Sequence, residues 1–586
     1  MITKESTNNY LILKSFKSYL LLNIIVLITG SIGMVVGGWA ISNYLGPIAM
    51  AAYGISYPFL MLLMALTIIF ANGATILISH YIGRGEKDKI NQCFTVTLFI
   101  ALIITGIISI TSPLYVTPLA IILGAKGALI PLASDYMLGL LFGATPLVIS
   151  QILLYIIRLD GSPKLTFASI ISMTITNIVL IFIFVVIYDY GIFSVGLATS
   201  ISYFAAIIII FKHFFSKNNS LHLTKNIRLN EARNILKTGL PTSLNSIYRT
   251  MRGYVTNNLA IIFGGTIAMS ALSLQGNVNL ILSSMVMGVG MTTTLLCGVF
   301  YGEEDKRSLR DTLSVSMKVG LIIVISISAI FIIFSPFLVS LFTRDPAVVS
   351  TATTSLRFLA LSMPPSLICV IFLSFYSSTE NRYYANYIGF AHSFLFLTIF
   401  GLILTPLIGI TGIWVCFVLG ETFTLIGLVV LIKIKEKKWP KTIDDFLLLP
   451  DEFEKDIIAN LSISLENDID EVIGLSNKIL QFGEKYDTHK EMFNKLALCV
   501  EEMAGNIIQH GFKSSKKKHF IDIRIILTEK NIVFRIRDDG MAFNPLEYAN
   551  QNEITENAIG IHMIQKLSKK MDYVNTIGLN NLTITL

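Results

Sequence analysis

Charge is scarce in this chain. Only 14% of its residues are Asp, Glu, Lys or Arg, where a soluble domain carries about a quarter. With 37 phenylalanines and 53% hydrophobic residues, such a chain has too little polar surface to be wholly soluble. Cysteine is also sparse. The five, Cys93, Cys297, Cys369, Cys416 and Cys499, are scattered and form no CxxC, which argues against a disulfide framework or a cysteine-rich zinc site. No Walker A loop is present, which argues against an ATP-driven pump. The opening MITKESTNNYLILKSFKSYLLLNIIVLITG lacks a small-residue cleavage site. It reads as a polar lead and a first transmembrane helix, not as a cleaved signal peptide.

What charge there is lies unevenly. Residues 1–440 hold 28 Lys and Arg against 15 Asp and Glu, and residues 441–586 hold 17 against 23. That shift marks a boundary near residue 440. Before it, apolar runs long enough to span a bilayer fall near 18–42, 50–82, 92–122, 130–157, 165–188, 191–212, 236–263, 267–300, 315–342, 351–378, 384–407 and 411–434. Alternate loops are basic: GRGEKDK (83–89), RLDGSPK (158–164), the long 212–237 segment, YGEEDKRSLR (301–310), TENR (379–382) and KIKEKKWPK (433–441). The positive-inside rule places these loops and both termini in the cytoplasm. The expectation is a multi-pass protein of the inner (plasma) membrane.

The spans repeat. LGPIAMAA (45–52) matches GGTIAMSA (264–271) at an offset of 219. The same offset relates Thr75 to Thr294, Gly83 to Gly302 and Lys87 to Lys306, and GIFSVG (191–196) resembles GITGIW (409–414) at 218. Two six-helix halves in one membrane orientation imply a pseudo-two-fold axis along the membrane normal and a substrate path between them. That suits an alternating-access transporter better than a channel.

YLGPIAMAAYGISYPF, the GRGEKDK and RLDGSPK loops and FGGTIAMSALSLQGNV, in this order and spacing, resemble the multidrug and toxic compound extrusion (MATE) family over residues 15–437. The resemblance implies efflux of an organic small molecule in exchange for H⁺ or Na⁺. Gly37 and Ile181 stand where many bacterial relatives carry acidic residues. The charges left at membrane depth are Glu421, Arg249 and Arg252. Intramembrane ionisable groups usually face a cavity or a partner. Glu421, paired with Arg249, is a candidate coupling carboxylate, and an interhelical ion pair that only fixes packing accounts for it equally well. If Arg249 lines the cavity, an anionic or zwitterionic substrate follows. His392 reads as a packed residue and His80 as an interfacial one.

After residue 454 the chain reads as one soluble α+β domain. LSISL is a short strand, and a helix follows through DIDEVIGLSNKILQFGEKY. HFIDIRIILT and NIVFRIRD alternate as a hairpin. ENAIGIHMIQKLSKKM is a helix, and VNTIG and LTITL complete the sheet. In CVEEMAGNIIQHGF, Phe493, Leu496, Val500, Met503 and Ile507 form one apolar stripe, while Glu502, Asn506 and His510 share another face. That face alone is most simply a solvated one. Asp538 then ends a strand before a Gly turn, and Gly560 opens a helix whose N–H groups suit phosphate.

The order E-x3-N, D-x-G, then Gly at a helix entry resembles the GHKL ATP-binding fold of gyrases and histidine kinases, especially its anti-sigma factor serine kinase branch with DDGxxFNP. The resemblance covers about residues 455–586 and implies Mg-ATP binding. By position, Asn506 would hold Mg²⁺, Glu502 would be the general base toward a serine, and Asp538 would accept the adenine amino group. Gly540 would let backbone approach the base, and Gly560 would face the phosphates. Mg²⁺ takes oxygen ligands with phosphates, and phosphoryl transfer needs mainly positioning and charge neutralisation. Glu501 and Asp539 read as solvated neighbours and 541–558 as the lid, with Ala542 and Ala558 where the family often has glycine. His489 reads as a surface residue.

The expected fold is therefore an all-α polytopic membrane protein, two six-helix bundles with twelve transmembrane helices, plus a C-terminal α+β ATP-binding sandwich. The expected domains are 1–220, 221–437, a linker at 438–454, and 455–586. The expected function is ion-gradient-driven efflux with a fused regulatory or serine-kinase-like module acting on an anti-anti-sigma-like or other regulatory protein. No nucleic-acid partner is expected. The alternatives are a membrane-tethered signalling kinase that senses through the transporter part, and a flippase for a lipid-linked substrate.

Overall fold

A computed structural model describes residues 9–216, 219–225, 229–340, 345–486, 490–512, 518–551 and 559–586. His489 and the 552–558 part of the lid, with Ala558, lie outside the described residues. The chain divides into two compact units. One joins Met1–Ser18 to Leu449–Leu586, and the other is Tyr19–Leu448.

The larger unit is helical. Among the described residues ten helices are long and apolar enough to cross a membrane, and eleven if the bent pair Leu129–Leu141 and Ala144–Leu159 is one span. Segment 236–263, with Arg249 and Arg252 among serines and asparagines, is the remaining one of the twelve apolar runs. It is continuous with the next span in the Leu229–Gly302 helix, which breaks at Gly265.

The repeat is written into the backbone. Gly46 (φ 82°) and Gly265 (φ 55°) are related by the 219 offset and both open a span in a conformation that suits only glycine. Gly191 (φ 70°) and Gly409 (φ 66°) do the same at 218. Where the second copy carries a side chain, the positive φ persists: Gly85 (69°) matches Glu304 (52°), and Gly161 (76°) matches Glu380 (57°).

Repeat mates also touch. At the ends bearing the GRGEKDK and YGEEDK loops, a side chain on Gly83 would strike the Gly302 and Glu303 backbone, and one on Gly298 would strike Ser79. Glycine lets the two helices approach backbone to backbone. His80 seals the same end. It is 2% exposed, bonds the Ser378 carbonyl oxygen through Nε2 at 2.6 Å and lies 3.4 Å from Glu380. It is a buried tie between the halves, because Ser378 and Glu380 from the second half cover what sequence alone leaves at an interface. The hydrogen bond from His80 holds the Glu380 carboxyl below the usual range.

After the last span, Thr442 and Asp445 cap the Ile443–Phe446 turn reciprocally. Phe446 stacks on Phe372 at 5.2 Å, and its carbonyl oxygen accepts from Tyr376 at 2.9 Å. The segment after the membrane helices is thereby fixed to its own unit.

The smaller unit is built on five antiparallel strands: β1 (Ala459–Glu466), β2 (Phe520–Leu527), β3 (Ile532–Asp538), β4 (Lys570–Thr576) and β5 (Leu579–Thr585), in the order β1-β2-β3-β5-β4. The alternation in β1 sends Leu461, Ile463 and Leu465 inward, onto Leu496, Val500 and Met503 of the Lys490–Asn506 helix. The expected helix over 468–486 is two, Ile469–Ile473 and Leu475–Gly483, broken at Gly474. The last helix ends at Leu567, because Lys570 already pairs with β5.

Residues 10–18 belong to this unit. The Tyr10 ring meets Phe520 at 4.6 Å, and Leu11 and Phe16 are buried. Lys14 forms an ion pair with Asp539. Asp539 is therefore not a solvated neighbour: its side chain is 1% exposed, with His519 Nδ1 3.1 Å away. Glu501 is likewise engaged, accepting from the Ser476 hydroxyl.

Candidate functional site

In the smaller unit, β3 ends at Asp538, and its register places Asn580 of β5 directly opposite. Asp538 is 5% exposed. Its Oδ1 accepts from the Gly540 N–H at 2.8 Å and from Asn580 Nδ2 at 2.8 Å. Burial lifts its pKa to about 6, against the pull of those two donors. Asn580 is held in turn by the Tyr573 hydroxyl, which donates to Oδ1 at 2.7 Å. A side chain on Gly540 would press on the Gly511 carbonyl oxygen at 3.0 Å. Glycine gives that turn its close approach without displacing the Gly511 carbonyl.

These groups border a cleft of about 390 Å³ with Asn506 and His510 on one wall and Asp538, Met541, Tyr573 and Asn580 on the other. From Ile507 to Gly511 the helix winds as a π-turn, a local irregularity frequent at functional sites.

Beside this cleft, Asn506 Nδ2 donates to Glu502 Oε1 at 3.3 Å. A side chain on Gly560 would occupy the place of that carboxylate. Glu502 is thus set against the entry of the Ile559–Leu567 helix. The residues named from sequence fall into two groups, Asp538 with Gly540 and Glu502 with Gly560. Asn506 belongs to both, since it lines the cleft and bonds Glu502.

Three cavities in the larger unit carry polar groups in their walls. In the first half a cavity of about 330 Å³ is lined by Gly37 and Ile181, with Tyr53, Tyr136, Asn177 and Tyr203, and by no carboxylate among the described residues. Between the halves lies a cavity of about 290 Å³ that Arg158 and Arg249 face. In the second half Glu421, His392, Arg249 and Arg252 border a small cavity of about 40 Å³.

Glu421 is 5% exposed, midway along the Thr411–Glu436 helix. Its partner is His392 Nδ1, not Arg249. The π-turn Ala391–Leu395 carries His392 to that position, and Cys369 Sγ lies within 4.8 Å of both groups. Arg252 stacks over Phe417 at 5.8 Å.

Residues 23–183 and 241–403 match the MatE family, more than half of the chain. The chain belongs to the MATE family. Residues 465–586 match the histidine kinase-like ATPase domain, so this MATE protein carries that domain at its C-terminal end. The multidrug export protein MepA of Staphylococcus aureus is 26% identical over 396 residues, 66% of this chain and 86% of MepA. The uncharacterized transporter YisQ of Bacillus subtilis is 24% identical over 397 residues, 64% of this chain and 84% of YisQ. An outward-facing multidrug resistance MATE transporter of the MOP superfamily superposes with a TM-score of 0.69 at 21% identity, over 74% of this chain and 99% of its own. A MOP superfamily transporter from Pyrococcus furiosus does so at 0.68 and 21%, over 74% and 99%. The membrane part has the MATE fold.

Within this MATE framework, sequence reasoning missed Asn580, Arg158 and the role of His392. The signal for Asn580 was faint, one of several polar residues in the closing strand LNNLTIT. For His392 it was present: a histidine at membrane depth is costly enough to ask for a partner.

Proposed function

We propose that the protein is a secondary active exporter of organic small molecules, driven by an ion gradient, with a regulatory ATP-binding domain. The pseudo-symmetric MATE halves around a central cavity carry this reading. MepA is named a multidrug export protein, and efflux is the corresponding role here. The basic loops face the cytoplasm of the inner membrane, with both termini, so the end sealed by His80, Gly83 and Gly302 is the cytoplasmic end. Glu421 with His392 is the ion-coupling pair, because the first-half cavity offers no carboxylate. Protons or Na⁺ exchange there against the substrate. Arg249 and Arg252 adjust the charge beside it.

The C-terminal domain fits Mg-ATP. The Gly540 turn is tight against the Gly511 carbonyl, and the Asp538 carboxylate is braced for a donor. Asp538 would take the adenine amino group and Gly540 the close approach of the base. Asn506 would hold Mg²⁺, and Gly560 would bring helix N–H groups to the phosphates. Bound there, Mg-ATP supplies a transferable phosphoryl group. Glu502, fixed by Asn506, stands where a base for a serine hydroxyl of a partner protein would stand, which favours a serine-kinase-like activity as the second reading. Residues 449–458 form turns, not the phosphoacceptor hairpin that a sensor histidine kinase requires.

Mg-ATP binding by the full chain, with and without Asn506→Ala, tests the domain. Loss of binding in the variant is expected, and no binding by the parent contradicts the reading. Dye export from vesicles under an imposed gradient, without nucleotide, tests the membrane part.

A further inference from the structure

We propose that the cavity between the two halves is an anion site, and that the exported molecule carries a phosphate, carboxylate or sulfonate on an apolar body. The inference rests on the export reading above and gives that reading a substrate class.

Two guanidinium groups, Arg158 and Arg249, border the 290 Å³ cavity, and none of the described residues that line it is acidic. Arg158 is 4% exposed. Its neighbours are neutral: Nη1 donates to Asn23 Oδ1 at 2.6 Å, and the group lies 5.4 Å from the Tyr155 ring. Arg249 has a buried Nε with no hydrogen-bond partner, and no carboxylate forms an ion pair with it among the described residues. The nearby carboxylate, Glu421, is taken by His392.

Burying one unpaired cation costs several kcal/mol, and at membrane depth such a residue ordinarily faces a pathway or a partner. Two of them at one cavity, one from each half and with no carboxylate among the described lining residues, leave the counter-ion to be supplied by a ligand. Asn72, Asn245 and the repeat-related Thr75 and Thr294 add neutral hydrogen-bonding groups to the cavity, and most of the remaining wall is aliphatic. This is a charged end and an apolar bed in one space, at the small end of the size range for organic ligands. Planar guanidinium forks match carboxylate and phosphate oxygens in pairs. A cationic drug would meet two fixed positive charges here and no compensating carboxylate.

The anion can arrive as a free solute or as a lipid headgroup. The full chain in nanodiscs of zwitterionic lipid is titrated with carboxyfluorescein, with ethidium as a cation and with tail-labelled phosphatidylglycerol, and binding is read by fluorescence anisotropy. We expect at least one anion to bind more tightly than ethidium. Losing a charged hydrogen bond should weaken it roughly tenfold or more in Arg249→Gln and in Arg158→Gln. Arg249→Lys, which keeps the charge but not the fork, should bind between the parent and Arg249→Gln, and an unchanged melting temperature of each variant shows that the membrane part is folded. Tight carboxyfluorescein binding indicates a soluble anion, and tight phosphatidylglycerol binding a lipid headgroup. Ethidium bound in preference to both anions, anion binding that neither Gln variant weakens, or no binding of any probe overturns the proposal. Gradient-driven ethidium export would then leave the export reading standing, whereas export of none of the probes would remove that reading as well.

Discussion

Glu421 and His392 meet side chain to side chain inside the second half, on different spans, with both groups nearly excluded from solvent. Each would be an expensive isolated residue in a membrane, and together they form a pair able to hold or pass a proton. If this pair couples transport, Glu421→Gln should abolish gradient-driven dye export while leaving Mg-ATP binding unchanged. Export by the variant with the parent's dependence on external pH or Na⁺ would show that the pair only fixes packing.

The cleft in the C-terminal domain makes a pH prediction. The folded Asp538 carboxyl titrates near 6, above its unfolded value of about 3.9. A raised acid costs stability when ionised, so its contribution worsens as pH rises from about 4 through about 6. Nucleotide recognition runs the other way, since the carboxylate accepts an amino hydrogen more strongly than the protonated acid does. ATP affinity should strengthen as pH rises through about 6 and then level off. Asp538→Asn should flatten that profile, and an unaltered profile in the variant would place the titrating group elsewhere.

Asn580 is the brace of that carboxylate. Asn580→Ala removes one donor to Asp538 and leaves a buried acceptor less satisfied, a loss of about 1–3 kcal/mol. A weakening of ATP binding by roughly tenfold is expected, measurable by calorimetry. Equal affinity would mean that the Gly540 N–H alone orients Asp538.

Gly83 and Gly302 permit the close crossing at the His80 end. Gly83→Val overpacks it, at a cost of about 1–3 kcal/mol. The variant should melt at a lower temperature and label more readily with a thiol probe at a cysteine introduced at Ser79. Wild-type melting and labelling would show that the approach is not needed for closure.

Much of this was legible in the sequence. The repeat offset paired the segments that hold Gly46 with Gly265 and Gly191 with Gly409, and the structure shows these glycines at positive φ, a backbone that leaves its mark in sequence. The period-2 runs located β1, β2 and β3, and the E-x3-N and D-x-G spacings brought Glu502, Asn506, Asp538 and Gly540 into view. What stayed hidden depends on distant partners. Asn580 gains its place only from the β3–β5 register, His392 from a π-turn, and His80 and Asp539 are covered by residues far along the chain. Local spacing carries no record of such contacts.

Ion-driven transport is tested most directly in liposomes. Purified full-length protein is reconstituted in liposomes with an imposed proton or Na⁺ gradient and no nucleotide, and movement of carboxyfluorescein and ethidium is followed by fluorescence. The account predicts that one dye moves against its own gradient under ion gradient alone, that Glu421→Gln stops it, and that Mg-ATP only changes its rate. Movement that needs ATP and ignores both ion gradients would contradict it.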